Sequence, residues 1–217
     1  CWNLNIVRRL IPYLKKHSII IDHIWILPNK LSNLRGNNIS MWYLKTFGII
    51  VFLKLSIFYT LVRLYNFHNR VNSFKDLAIK YNIDYNYINS TNDKYLFKNI
   101  NKYNKKISLL ITNHILKKKI IKKKNHLFIN KHASILPSYK GLMPYLWTQI
   151  DSADNGVTFH LVNEKIDTGK IIYQKKIKVK FNSMIGFYLD IFHKFPFYFV
   201  ESLKNLKKKN FIKPKKK

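Results

Sequence analysis

Between residues 130 and 170 the chain reads Asn130-Lys-His132-Ala-Ser134-Ile-Leu-Pro137-Ser-Tyr139-Lys-Gly141, then Gly156-Val-Thr158-Phe-His160-Leu-Val-Asn163-Glu-Lys-Ile-Asp167-Thr-Gly169. A carboxamide can donate to an oxygen that turns negative during a reaction, and an imidazole can move a proton near neutral pH. Two positions apart at a strand end, Asn130 and His132 point to the same side. Asp167, in a turn closed by Gly169, has the chemistry to orient that imidazole or to take a proton from an attacking group. No Ser or Cys stands in a nucleophile elbow, and one histidine with one carboxylate is thin for a metal, so none is expected. The inventory favours direct transfer onto an external nucleophile through a tetrahedral intermediate. Each residue alone has a plainer reading: Asn130 as a strand-end cap, His132 as a packed histidine, Asp167-Thr-Gly169 as a β-turn. Their order and spacing together point to chemistry.

The elements that must position them alternate in type. A helix is expected over 5–16, then an apolar strand over 19–27 ended by Pro28. A capped helix follows Ser73, a strand spans 83–88, a second helix follows Thr91, and further strands span 107–112 and 127–130 after a Lys-rich helical turn. This is the pattern of an α/β chain with an open, mostly parallel, Rossmann-like sheet, whose ligands bind beyond the carboxyl ends of the strands. Phe47 to Leu64 approaches the length of a membrane span, but Lys54 and Arg63 inside it would each cost about 2.5 to 3.5 kcal/mol near the centre. A packed or partner-facing helix is expected there, with a membrane-associated or interfacial helix as the lesser alternative, and a membrane is not expected as a partner. The tail from Leu206 is a charge run expected to be solvated.

With 217 residues and 47% apolar side chains the chain has room for one domain with its own core, which excludes a disordered tail or a peptide hormone. Its net charge of +30 suggests a polyanion as partner. However, 35 Lys, 24 Asn and 30 Ile stand beside only 5 Arg, which A/T-rich codons produce and which lacks the bidentate residue that nucleic-acid recognition favours. A single cysteine, Cys1, excludes a disulfide framework and a Cys-based zinc site, and suits a reducing cytoplasm. No charged segment followed by an apolar one opens the chain, so no signal peptide is expected, and residues before Cys1 are expected to be missing.

The block Asn-x-His-x-Ser-Ile-Leu-Pro-x-Tyr-x-Gly, followed by Gly-Val-Thr-x-His and Ile-Asp-Thr-Gly, resembles the signature of the folate-dependent formyltransferases. That group includes the glycinamide ribonucleotide, methionyl-tRNA and sugar-nucleotide enzymes. The resemblance implies transfer of a formyl group from 10-formyltetrahydrofolate to a primary amine. Asn130, His132 and Asp167 would be the catalytic set. Asn130 would hold the formyl oxygen, His132 would stabilise or protonate it, and Asp167 would fix His132 and a water that relays the proton of the amine. Ser134 and Gly141 would support the loop. His114, Ile115 and Leu116, with Asn163, Glu164, Lys165 and Ile166, would contact the pterin, and His160 would border the same pocket.

Two departures bear on the acceptor. The family's first strand, and the loop after it that often holds the acceptor's phosphate, have no counterpart, because Cys1 already borders a helix. The 38 residues after Val179 fall short of the C-terminal domain of the tRNA-directed enzymes. The reading is therefore a cytoplasmic catalytic core over 1–206 with a basic tail over 207–217. Its partner would be a small amine, first an amino sugar on a nucleotide, with tRNA or glycinamide ribonucleotide as alternatives and a non-catalytic binding protein as the rival. Tyr145 and Trp147 could stack on a base or sugar, a closing helix is expected over 183–206 with a kink or split at Pro196, and a homodimer is allowed.

Overall fold

The computed structural model describes residues 2–29, 34, 37–100, 102, 107–178 and 183–212. Helix α1 (Trp2–Lys16) comes first and buries Leu4, Ile6, Val7, Leu10, Ile11 and Leu14, a 3.6-residue stripe. The chain divides into two compact units. One comprises Cys1–Arg8, Ile20–Tyr103 and Thr112–Leu116, the other Arg9–Ile19, Asn104–Ile111 and Lys117–Lys217.

In the first unit, β1 (His23–Ile26) pairs in parallel with β2 (Asp84–Tyr87). The connection between them runs through α2 (Asn37–His68) and α3 (Phe74–Tyr81), and α4 (Lys94–Asn99) follows β2. The cap expected at Ser73 is a full capping box: its hydroxyl accepts from Asp76 N at 3.1 Å, while the Asp76 carboxylate accepts from Ser73 N at 2.9 Å. Asn82 ends the helix in the left-handed conformation its short side chain tolerates. Strand β1 is shorter than the apolar run 19–27, because only four of those residues find ladder partners. Helix α2 is interrupted at Gly48 (φ 76°), a conformation open to a residue without Cβ. Among its described residues only Asn66 is buried, while Ile49, Ile50, Leu53, Ile57, Leu61, Leu64 and Phe67 stay exposed, so within the chain the helix is not packed as expected.

In the second unit, β3 (Ile107–Leu110), β4 (Leu127–His132), β5 (Gly156–Leu161) and β6 (Ile171–Lys176) form one sheet in that order. Strands β3 and β4 are parallel, joined through α5 (Lys118–Ile121), while β4–β5 and β5–β6 are antiparallel. The α/β alternation read from the sequence accounts for the parallel pairs; the antiparallel hairpin adds to it. Helix α6 (Pro144–Ile150) lies between β4 and β5 in the chain, and α7 (Met184–Lys207) covers one face of the sheet. Phe195 and Phe199 of α7 meet Phe159 of β5 at ring-centroid distances of 5.3 and 6.0 Å. Ser183 caps α7 through Gly186 N, and the helix continues through buried Pro196 rather than splitting there. Burial of Phe195, Tyr198, Phe199 and Val200 around that residue offsets the lost backbone bond. The tail is not wholly a solvated run: Ile212 N donates to Ile171 O at 2.9 Å, bringing the chain back to β6, and residues 213–217 lie outside the described residues.

Candidate active site

Register puts the chemistry on one face of the second unit's sheet. In the β4–β5 ladder Asn130 lies opposite His160, and His132 opposite Thr158, with Thr158 opposite Gln174 of β6. Residues directly opposite in an antiparallel pair share a face, so Asn130, His132, Thr158, His160 and Gln174 form one polar patch. Lys131 and Phe159 point to the other face, where the Lys131 ammonium stands 5.9 Å from the Tyr188 ring.

Asp167 arrives from the β5–β6 turn and closes the group. Its Oδ1 is 3.3 Å from Asn130 Nδ2, which donates to it, and 3.3 Å from His160 Nε2. Its Oδ2 accepts from Gly141 N at 2.9 Å and lies 3.3 Å from His132 Nδ1. The turn is built for this delivery. Asn163 Oδ1 accepts from Lys165 N at 3.2 Å and lies 2.9 Å from Thr168 Oγ1, and Leu161 N donates to Lys170 O at 2.9 Å. Gly169 crosses so close to β5 that a Cβ there would stand 1.6 Å from Leu161 O. Asp167 itself is left-handed (φ 49°), which aspartate tolerates better than most residues.

The loop after β4 supplies the other wall. His132 Nε2–H donates to Tyr139 O at 2.7 Å, and buried Ser134 donates through its hydroxyl to Ser138 O at 2.9 Å. Thr158, fully buried, ties the loop to β5: its Oγ1 donates to Ser134 O at 2.7 Å and accepts from Leu136 N at 3.2 Å. Gln174 Nε2 lies 2.9 Å from both Leu136 O and Thr158 Oγ1. The sequence reading named Ser134 and Gly141 as supports. It missed Thr158 and Gln174, for which the only available signal was their alternation with His160 and Ile172 along two strands.

Burial raises the Asp167 carboxyl, but the His160 hydrogen bond, the His132 ring and Gly141 N–H outweigh it and hold the group at about 2. His132 moves down from its usual value because burial outweighs the pull of Asp167, so its neutral form predominates at pH 7. With Nε2–H committed to Tyr139 O, Nδ1 is the free base and faces a carboxylate. His160 Nδ1 lies 2.9 Å from Leu161 O, and its Nε2 faces Asn130 Nδ2 at 3.5 Å and Asp167 Oδ1 at 3.3 Å. The result is a carboxylate ringed by an amide and two imidazoles, one of which has room for a proton. Among the described residues no group of three or more His, Cys, Asp and Glu could hold a metal ion.

The remaining expected residues fall in two places. Asn163, Glu164, Lys165 and Ile166 form the outer part of the β5–β6 turn, where Ile166 is exposed and the Glu164 carboxylate pairs with Lys118 at 3.0 Å and Lys122 at 3.1 Å. His114, Ile115 and Leu116 belong to the first unit. There His114 Nε2 is 2.9 Å from Pro28 O, Ile115 O accepts from Thr91 Oγ1 at 2.7 Å, and Leu116 is buried beside an exposed Ile115. Tyr145 is buried and stacks on Phe187 with centroids 4.1 Å apart, which removes it from any ligand, whereas Trp147 is half exposed.

Comparison with known proteins adds three findings. Residues 74–194 match the family model described as formyl transferase. A methionyl-tRNA formyltransferase of Thermodesulfovibrio yellowstonii is 35% identical over 89 residues, 40% of this chain and 29% of that protein. The matched stretch spans about a third of the length of the curated relatives. Among solved structures, the phosphoribosylglycinamide formyltransferase of Bacillus halodurans superposes with a TM-score of 0.59 at 11% identity, covering 93% of this chain and 89% of that one. A sugar N-formyltransferase from Shewanella sp FDAARGOS_354 gives 0.52 at 18% identity, covering 90% and 73%. At such identities the likeness is one of fold.

Proposed function

The chain belongs to the formyl transferase family, and on that premise we propose that it transfers a formyl group from 10-formyltetrahydrofolate to a primary amine of a small acceptor in the cytoplasm, first an amino sugar carried on a nucleotide. The observation that carries this reading is the Asp167 carboxylate, held by Gly141 N–H at 2.9 Å between His132 and His160 and beside the Asn130 amide. The residues present suit the donor. Asn130 is part-exposed at the edge of the patch, and the 163–166 turn is open to solvent, as a pterin-holding segment must be.

When bound, the folate supplies an activated formyl group. The turn residues 163–166 would hold it. Asn130 Nδ2, which donates to Asp167 Oδ1 at 3.3 Å and lies 3.5 Å from His160 Nε2, would turn its second hydrogen to the formyl oxygen as charge develops there. Neutral His132 would accept at Nδ1 the proton that the attacking amine sheds, with the adjacent carboxylate stabilising the imidazolium, and would return it to the folate nitrogen as the bond between that nitrogen and the formyl carbon breaks. Asp167 remains ionised throughout, since its carboxyl lies far below neutral pH. His160 fixes the second carboxylate oxygen. Half-exposed Trp147, on the helix that follows the site loop, offers a stacking surface for a base or sugar.

A tRNA acceptor is the second reading, favoured by the net charge of +30 and by the methionyl-tRNA formyltransferases among the relatives. Incubating the chain with 10-formyltetrahydrofolate and an amine panel, and following tetrahydrofolate release, separates the readings. Turnover with amino-sugar nucleotides alone supports the first. Turnover only with methionyl-tRNA, lost at raised salt, supports the second. No turnover with any amine by folded protein contradicts both.

A further inference from the structure

Helix α2 has a property that formyl transfer does not call for. It is long and apolar enough to cross a membrane, none of its most apolar stretch is buried, and it carries no acidic residue. Ile50 (68% exposed), Leu53, Ile57 (62%), Leu61 and Leu64 (60%) recur at three- and four-residue steps, forming one stripe that Ile49 and Phe67 extend to about 27 Å. At 100° per residue, Lys54 falls on one border of the stripe and Arg63 on the other, both exposed. On the opposite side Asn66 is buried, with its Oδ1 3.5 Å from Arg8 Nη1, and Phe52, Leu55 and Val62 are half-buried.

The topology excludes a crossing. Strands β1 and β2 flank α2 in the chain and pair with each other from His23↔Asp84 to Ile26↔Tyr87. A helix passing once through a bilayer would leave them on opposite sides, and the polar link Asn69–Ser73 cannot return through hydrocarbon. A helix with an exposed apolar stripe edged by cations, both ends held on one side, has the form that lies in a membrane interface, where long basic side chains reach up to headgroups. A second copy is the poorer occupant, because it would set Lys45, Lys54 and Arg63 against the same three cations within a chain of net charge +30.

We infer that α2 seats the chain on an anionic lipid surface, lying in the interface with Ile50, Leu53, Ile57, Leu61 and Leu64 toward the acyl chains and Lys54 and Arg63 at the headgroups. The inference is independent of the formyl-transfer reading, since it is tested without donor or acceptor. The chain is mixed with vesicles of phosphatidylcholine, with or without phosphatidylglycerol, and floated through a density gradient. Flotation with the anionic vesicles is expected. Lys54→Gln/Arg63→Gln should weaken partition about 25-fold, roughly fivefold per cation, and Ile57→Glu/Leu61→Glu should abolish it with an unchanged far-ultraviolet circular dichroism spectrum. Failure of the parent to float overturns the proposal, as does flotation indifferent to Ile57→Glu/Leu61→Glu. A concentration-dependent dimer that this variant splits, without flotation of the parent, gives the face to a second copy instead.

Discussion

Asp167→Asn keeps the shape of the side chain while removing one negative charge from between two imidazoles. The parent carboxyl, burial notwithstanding, is held at about 2 against an ordinary 3.8, by His160, His132 and Gly141 N–H. A difference close to two pK units corresponds to about 2 kcal/mol of folding free energy. Because the folded value is the lower one, this stability is fully present above pH 3.8 and is lost as pH falls through about 2. In urea unfolding, parent and variant should therefore differ by about 2 kcal/mol at pH 7, and the gap should close between about pH 4 and 2. Turnover should fall at least about a hundredfold, the lower end of what a positioned acid–base group contributes. The fall should lie in kcat, with the KM for the folate donor close to that of the parent. Tetrahydrofolate release measures the first and its dependence on donor concentration the second. Near-parent turnover, or a stability gap that stays constant from pH 7 to pH 3, would refute the reasoning.

Asn130→Ala should lower kcat by about 10² to 10³, the cost of one oxyanion donor, with donor affinity measured by titration largely kept. Thr158→Val leaves Ser134 O and Leu136 N without their buried partner, so thermal unfolding should register a loss of about 2 kcal/mol and kcat should fall with it as the loop loosens. Gly169→Ala forces a methyl onto Leu161 O, and urea titration should show a loss of about 3 kcal/mol or more. Since burial places His132 below its usual 6.5 and the neutral ring is the working form, kcat/KM should be level above pH 6.5 and decline only on the acid side; an acid limb centred above 6.5 would remove His132 as the base.

What the sequence conveys depends on how local the cause is. The Asn130–His132 spacing, the Ser73–Asp76 box and the turn at Gly169 are written in neighbouring residues, and the structure brings Asp167 within 3.3 Å of both Asn130 and His132. The β5–β6 hairpin was less legible, because β5 is buried from Gly156 to His160 and so lacks the alternation that marks a half-solvated strand. Thr158 and Gln174 matter through the cross-strand register, which no single stretch encodes. Tyr145 illustrates the same limit: nothing near it in the chain announces Phe187, the ring it stacks on. Helix α2 is the opposite case, apolar on nearly every side, so the pattern alone could not say which face the chain covers.

The central claim is that one site, built on Asn130, His132 and Asp167, receives a formyl-folate. Its most direct test is calorimetric titration of the chain with a stable 10-formyltetrahydrofolate analogue, beside the His132→Ala/Asp167→Ala variant. Saturable one-to-one binding, weakened at least about tenfold in the variant, is the predicted result; no saturable binding by folded protein, or equal binding by both, would contradict it.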